Sequence, residues 1–346
     1  MQKFDTLIVG AGPAGLSCAA SLARNGLKVL VLERNRCIGP KVCAGGIPFN
    51  ALRQLNLPDD LHEKSFPDQH VITPGQKAQL HSQFPIITTV NREKLGQYML
   101  QKALEAGAEV RTSSLVTHVN KNHIICSSSG RSVSNSEKIG YDFLVGADGS
   151  NSIVRKYLHL PVYNMGAGIQ YHISGSFSRM EWHFAPNVFR SGYAWIFPHK
   201  EKTSIGAYAD RRDLSPRKLK TALHEWTSRK KISFHGSRPE AALINFDYRG
   251  WHFNNIFLTG DAAGLASGLT GEGIVPAILS GEAAAGRILA PDSENERFNT
   301  LLKQHNKHRM MQKLFAGNKV VCQMLLEVLV LGLRLKLIPL RYIEMC

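Results

Sequence analysis

The sequence has little that would let it cross a membrane, hold a zinc ion or be stapled by disulfides. Its six cysteines (Cys18, Cys37, Cys43, Cys126, Cys322 and Cys346) form no C-x-x-C pair and no Cys/His zinc spacing. That usage points to a reducing compartment, hence a cytoplasmic protein, and to no bound metal. No uninterrupted apolar run reaches the ~20 residues that a spanning helix needs. Acidic side chains are scarce, with 27 Asp and Glu against 42 Lys and Arg and a net charge of +15. Such a balance calls for an anionic partner. Zinc-finger spacing, RNP-like strands and a helix-turn-helix are all missing, so nothing supports nucleic acid. Internal repeats, low-complexity segments and long linkers are absent too. Lys3 ahead of an apolar stretch superficially resembles a signal peptide. A nucleotide-binding turn accounts better for the same residues, which are therefore read as mature, folded protein.

What is present is organised around residues 1–33. An apolar run over 4–9 leads at once into Gly10-Ala11-Gly12-Pro13-Ala14-Gly15, a G-x-G-x-x-G turn. A helix is expected over 14–25, stopped by Gly26, and a second strand over 28–32 ends in Glu33. The first glycine permits a tight turn, the second lets a pyrophosphate approach the backbone, and the third lets helix and strand pack closely. Pyrophosphate then sits on the free N–H groups at the helix N-terminus. Glu33 is placed to accept hydrogen bonds from a ribose and would repel a 2′-phosphate, so the resident nucleotide is FAD or NAD and not NADP.

At 346 residues the chain is long enough for two domains. Arg34 follows the ribose acid and either stacks on adenine, pairs with phosphate or is a solvated loop residue. Gly45-Gly46 permits close approach to a flat ligand, and Cys43 before it is either a small buried filler or a thiol beside that ligand. Short alternating runs over 57–90 suggest antiparallel strands of an inserted domain. Asn91 caps a helix over 92–106 whose inner face carries Leu95, Met99, Leu100 and Ala103. Arg92 is unfavourably placed in its first turn, so it either meets an anion or is simply exposed. Strands are expected over 108–111, 115–119 and 124–127. The next, over 141–147, runs into Asp148, with a helix starting at Ser150 or Asn151. An acid at the C-terminal end of an α/β strand is where ligand contacts belong.

From 166 to 243 the pattern changes to β runs with aromatic residues over 169–177, 182–184, 192–197 and 204–208, interrupted by a helix over 216–230. Tyr193, Trp195 and Phe197 alternate, so all three project to one face, either as an aromatic wall for an apolar ligand or as ordinary core. A strand over 256–259 then ends in Gly260-Asp261, and Leu269-Thr270-Gly271-Glu272-Gly273-Ile274 opens a helix to about 289. Asp261 either bonds a sugar or ribityl hydroxyl or caps its turn, while Gly271 and Gly273 offer N–H groups.

Together, G-x-G-x-x-G with Glu33, Gly146-Ala147-Asp148-Gly149 and Gly260-Asp261-Ala262-Ala263-Gly264 resemble the FAD-dependent enzymes of the p-hydroxybenzoate hydroxylase type of fold. Lys41-Val42-Cys43-Ala44-Gly45-Gly46-Ile47, Tyr193-Ala194-Trp195-Ile196-Phe197-Pro198 and Leu269-Thr270-Gly271-Glu272-Gly273 are similar to its geranylgeranyl reductase subfamily. Two departures stand out: Ala44 where the subfamily has Gly, and Arg190 where a Pro is common. The resemblance implies an α/β protein in three parts. A discontinuous Rossmann-like FAD-binding domain (1–56, 91–160 and 250–290) has a parallel sheet and a three-stranded β-meander. A mostly antiparallel substrate domain (57–90 and 161–249) and a helical C-terminal segment (291–346) complete it.

The implied FAD contacts are Gly10, Gly12, Pro13, Ala14, Gly15, Glu33, Arg34, Ala44, Gly45, Arg92, Val116, Asp148, Asp261, Gly271, Gly273 and Ile274. Tyr193, Trp195 and Phe197 would hold a prenyl chain, and Cys43 would give a proton or touch the flavin face. The implied activity is saturation of C=C bonds in a geranylgeranyl-type lipid, with electrons from NAD(P)H or a reduced electron-transfer protein. Two other readings stay open: an FAD monooxygenase acting on an apolar or aromatic substrate, and a flavoprotein that is non-catalytic or senses redox state. The stretch 320–333 is apolar apart from Gln323 and Glu327, with Arg334, Lys336 and Arg341 after it. It either packs on the protein or lies in a lipid interface as a peripheral contact on the inner membrane face. Arg211, Arg212, Arg217, Lys218 and Lys220 add positive charge that favours the interface.

Overall fold

The computed structural model describes residues 1–128, 136–175 and 177–338. The apolar run at the N-terminus becomes the strand Gln2–Val9, which pairs in parallel with Val29–Leu32 on one side and Ser136–Gly146 on the other. Glu109–Arg111 and Ile256–Leu258 extend this parallel sheet, and His252–Phe253 closes it antiparallel. Every residue of Val29–Leu32 is buried, the mark of a parallel strand covered on both faces. Ser114–Val119, His123–Ser128 and the first half of Ser136–Gly146 form the three-stranded meander.

Three helices gather about the Gly-rich turn. Pro13–Arg24 begins with proline at its first position, packs along Ile274–Leu289 and touches Arg92–Glu105. Asn91 caps the last of these, its side chain accepting from the N–H groups of Glu93 and Lys94. Leu95, Met99 and Ala103 are buried there, whereas Leu100 is half-buried. The helix after Asp148 is one short piece, Ile153–Tyr157, started by the Ser152 hydroxyl and not by Ser150 or Asn151.

The second sheet has seven strands in the order Glu240–Asn245, Met165–Ser174, Lys202–Asp210, Tyr193–Pro198, Glu181–His183, Asp68–Ile72 and Lys77–His81. All neighbours are antiparallel except Glu181–His183 with Asp68–Ile72. The segment 57–90 is therefore shared, because His62–Phe66 and Ile87–Val90 instead join Gly46–Pro48 in a three-stranded sheet. Helix Pro216–Arg229 packs on one face of this sheet at Met165–Ser174 and Lys202–Asp210. Arg190 ends a short helix at φ 59°, a conformation closed to the proline common there in the subfamily.

Helix Glu296–Phe315 packs on Ile274–Leu289, and Lys319–Arg334 folds back over the hairpin 68–81. Among the described residues no helix is long and apolar enough to cross a membrane. Residues 339–346, Arg341 and Cys346 among them, lie outside the described residues. Glu327 fixes the last helix: its carboxylate accepts from the Thr73 hydroxyl at 2.7 Å, the Gly75 amide at 2.8 Å and the Gln76 side-chain amide at 2.9 Å. Burial pushes the Glu327 carboxyl up, but these three donors outweigh it and hold it below its usual range.

A carboxylate depressed in the folded state stabilises above its unfolded value of about 4.3 and loses that contribution as pH falls through the folded value. Glu327→Ala should therefore cost about 1–2 kcal/mol at neutral pH and raise tryptic cleavage at Lys319. In the unaltered chain the apolar stretch 320–333, probed with an acid-active protease that cuts beside leucine, should become cleavable only once the pH falls below the ordinary glutamate range.

Candidate functional site

The Gly-rich turn is shaped by backbone contacts that leave no room for side chains. Gly10 has φ +102°, and a Cβ there would lie 2.4 Å from the Ala147 carbonyl oxygen. At Gly15 a Cβ would lie 2.0 Å from the Gly10 carbonyl oxygen. Gly12 differs, because a Cβ there meets nothing within 4 Å. It opens onto a cleft of about 1070 Å³ at the N-terminus of helix Pro13–Arg24. Ala14 and Gly15 lie beneath the turn.

Along this cleft lie Glu33, Arg34, Val116, Asp148 and Arg92. Glu33 braces the turn, its two carboxylate oxygens accepting from the Ala11 and Asn35 amides at 2.9 Å each. Arg34 is exposed on the rim, and Val116 is buried in the wall. Asp148 accepts from the Ile153 amide at 2.6 Å and so braces the first turn of the helix that Ser152 caps. Its other carboxylate oxygen is buried without a hydrogen-bond partner among the described residues, and burial pushes the carboxyl up.

Arg92 is the clearest indication that this cleft receives an anionic ligand. Its Nε and one terminal nitrogen are buried with no hydrogen-bond partner among the described residues. Burial lowers its pKa, against the pull of Cys43 and Asp261. A buried, unsatisfied guanidinium is costly unless a ligand completes it. Asp261 sits opposite, accepting from Lys41 Nζ at 3.2 Å and the Ser150 hydroxyl at 3.3 Å. Gly273 caps helix Ile274–Leu289 directly above it, a Cβ there lying 3.3 Å from an Asp261 oxygen. An open backbone cradle, an orphan cation and two helix N-termini fit a bound dinucleotide such as FAD.

The cleft meets a second cavity of about 250 Å³ where Pro13, Cys43, Arg92 and Asp261 line both. This second cavity is apolar. Tyr193, Trp195 and Phe197 come together in it, joined by Trp182, Phe184 and Tyr208. Trp182 packs against Phe197 with ring centroids 4.7 Å apart. The polar atoms of these rings are turned to protein partners: the Tyr193 hydroxyl donates to the Thr270 carbonyl, the Tyr208 hydroxyl to that of Gly268 at 2.9 Å, and Trp195 Nε1 to Ser204 at 2.9 Å. Burial pushes both phenols well above their ordinary value. The two tyrosines thereby clamp the loop carrying Gly271, and Gly271, Gly273 and Ile274 line the same cavity. Ala44 and Gly45 form the opposite lip, with Cys43 Sγ accepting from the Gly45 amide at 3.3 Å.

Several contributors carry no local signal in the sequence. Leu326, Leu329, Val330 and Leu333 of the last helix close the apolar cavity, though only their helical spacing marks them. His199 bonds the Ala44 carbonyl through Nε2 at 3.0 Å and the Glu63 carboxylate through Nδ1. The bond to His199 chiefly holds the Glu63 carboxyl below its usual range, with burial opposing. Glu63 also reaches Asn91 at 3.4 Å. One chain of bonds thus ties the Cys43–Gly45 lip to the start of the helix carrying Arg92.

The family model described as FAD binding domain matches residues 3–313. Geranylgeranyl diphosphate reductase of Rhodobacter capsulatus is 29% identical over 302 residues, 84% of this chain and 76% of the relative. Digeranylgeranylglycerophospholipid reductase 2 of Methanothermobacter thermautotrophicus is 26% identical over 338 residues, 90% of this chain and 84% of the relative. Among solved structures, a geranylgeranyl bacteriochlorophyll reductase-like protein from Thermoplasma acidophilum superposes with a TM-score of 0.82 at 20% identity, covering 96% of this chain and 92% of that one. The flavin-dependent brominase Bmp2 superposes at 0.67 with 18% identity, covering 96% and 94%. At these identities the two structures show a shared fold. The match over most of its length places this chain in the FAD binding domain family, as an FAD-dependent oxidoreductase whose curated relatives include geranylgeranyl reductases.

Proposed function

We propose that this oxidoreductase saturates C=C bonds in a polyprenyl or geranylgeranyl-type lipid. The carrying observation is the aromatic cavity that opens onto the dinucleotide cleft at Cys43, Arg92 and Asp261 while keeping its own polar atoms bonded to protein. Bound FAD, once reduced by NAD(P)H or a reduced electron-transfer protein, supplies a hydride equivalent. An unactivated alkene then needs a dry site and one proton.

The residues of this chain account for those needs. Tyr193, Trp195 and Phe197 present one aromatic wall to an isoprenoid chain and exclude water. Cys43 Sγ, at the mouth between the cavities, is placed to hold the proton that completes the second C–H bond. The N-terminus of Ile274–Leu289, with Gly271 and Gly273, favours negative charge at the cleft end nearest the alkene. Arg92 supplies a cation to the same junction. Pyrophosphate would lie on the Gly12 cradle, and Glu33 and Arg34 would meet the adenosine end.

Anaerobic, photoreduced holoprotein given a panel of prenyl diphosphates and prenylated lipids should add two hydrogens per reduced bond, read by mass. Incorporation of oxygen from O2 into the substrate would instead establish a monooxygenase. Failure of every prenyl chain to speed anaerobic flavin reoxidation would favour a non-catalytic or redox-sensing flavoprotein.

Gly12→Val should fold yet lose FAD, because its side chain enters only the cleft; full flavin content in the purified variant would contradict the cradle. Trp195→Ala should lower stability by about 3 kcal/mol and cut prenyl turnover about tenfold or more, with flavin content retained. Unchanged turnover in that variant would make Trp195 core and not wall.

A further inference from the structure

Helix Lys319–Arg334 has two apolar faces, and only one is accounted for by packing. Cys322, Leu326, Val330 and Leu333 point inward and are buried. Val320, Met324, Val328, Leu331 and Leu335 recur at helical spacing on the opposite side. They are between 45% and 66% exposed, and the charged residues of this span, Glu327 and Arg334, lie along one edge of the stripe. A monomeric protein rarely leaves such a stripe to water.

The charges around the stripe are of one sign. From residue 300 to 338 the sequence holds a single acid, Glu327, and its carboxylate is turned to Thr73, Gly75 and Gln76. Lys313 and Lys319 precede the stripe, and Arg334 and Lys336 flank its last member Leu335, all exposed. An apolar face bracketed by basic residues is the signature of a helix lying in an anionic lipid interface.

We infer that the outer face of Lys319–Arg334 docks on an anionic bilayer surface, with Val320, Met324, Val328 and Leu331 among the acyl chains and the basic residues on lipid phosphates. The helix is one layer thick, and its inner residues Leu326, Leu329, Val330 and Leu333 are a wall of the apolar cavity. Docking therefore sets the cavity beside the membrane, so that a lipid chain passes from bilayer to cavity around this helix. The passage rests on the prenyl-lipid reading; the docking does not.

The test is flotation of flavin-loaded protein with vesicles of equal parts phosphatidylcholine and phosphatidylglycerol, against pure phosphatidylcholine. The protein should float with the anionic vesicles and be released by salt. Met324→Glu with Val328→Glu should cut that binding about tenfold, leaving flavin content, melting temperature and turnover of detergent-dispersed substrate unchanged. Lys313→Glu and Lys336→Glu should each cut it roughly fivefold. Failure of the unaltered protein to float would overturn the inference. So would a concentration-dependent dimer abolished by the same pair of glutamates, which would give the stripe to a second copy of the chain. Protein that floats but reduces no prenyl chain would sink only the substrate reading. Protein that reduces a dispersed chain but does not float would sink only the docking.

Discussion

Close approach of bare backbone is the constraint on which the site depends. The turn after strand Gln2–Val9, the turn carrying Asp148 and the start of helix Pro13–Arg24 meet with nothing larger than the Ala147 methyl between them. The same helix is met from its other side by Ile274–Leu289, where a Cβ on Gly281 would lie 2.2 Å from the Ala14 carbonyl oxygen. Turns far apart in sequence are thus locked at one place. Because two of them are helix N-termini, the partial positive charges of both point at one volume.

That volume is completed by polar groups whose burial makes no sense without a ligand. Two Arg92 nitrogens and one Asp148 oxygen, buried without a hydrogen-bond partner among the described residues, are costs to the isolated protein. A bound dinucleotide offers phosphates and hydroxyls in return, so cofactor binding and the stability of this region are linked. The apolar cavity follows the opposite rule: its tyrosines and tryptophan spend their polar atoms on the protein, holding the Gly268–Gly271 loop in place and leaving ring faces to the interior.

Much of the first sheet could be read from the sequence, because its information is local. The glycine spacing, the apolar strand before it, Glu33 after the second strand and the Gly-Asp turns each declare themselves within a few residues. The aromatic strand Tyr193–Pro198 was equally legible from alternation, whereas the meander came only with the family resemblance, its third strand being the first half of Ser136–Gly146. What escaped was pairing between distant segments. Asp68–Ile72 lies parallel to Glu181–His183, more than a hundred residues on, and its neighbours His62–Phe66 and Ile87–Val90 go to a different sheet. Period-2 patterning gives the face of a strand but not its partner. Likewise the apolar run after residue 319 left packing and lipid contact as rivals, because helical spacing alone does not say which of two apolar faces is covered; the structure buries one and leaves the other exposed.

We propose that one extended FAD lies across the converged turns, adenosine by Glu33 and ring system at the mouth of the aromatic cavity. A crystal structure of the flavin-loaded protein tests it most directly. Pyrophosphate is expected on the Gly12 amide face, with Arg92 engaged and the isoalloxazine between the Cys43–Gly45 lip and the Gly271–Gly273 loop. A ring system turned out to solvent, with Arg92 still unpartnered and the aromatic cavity sealed from it, would contradict the account.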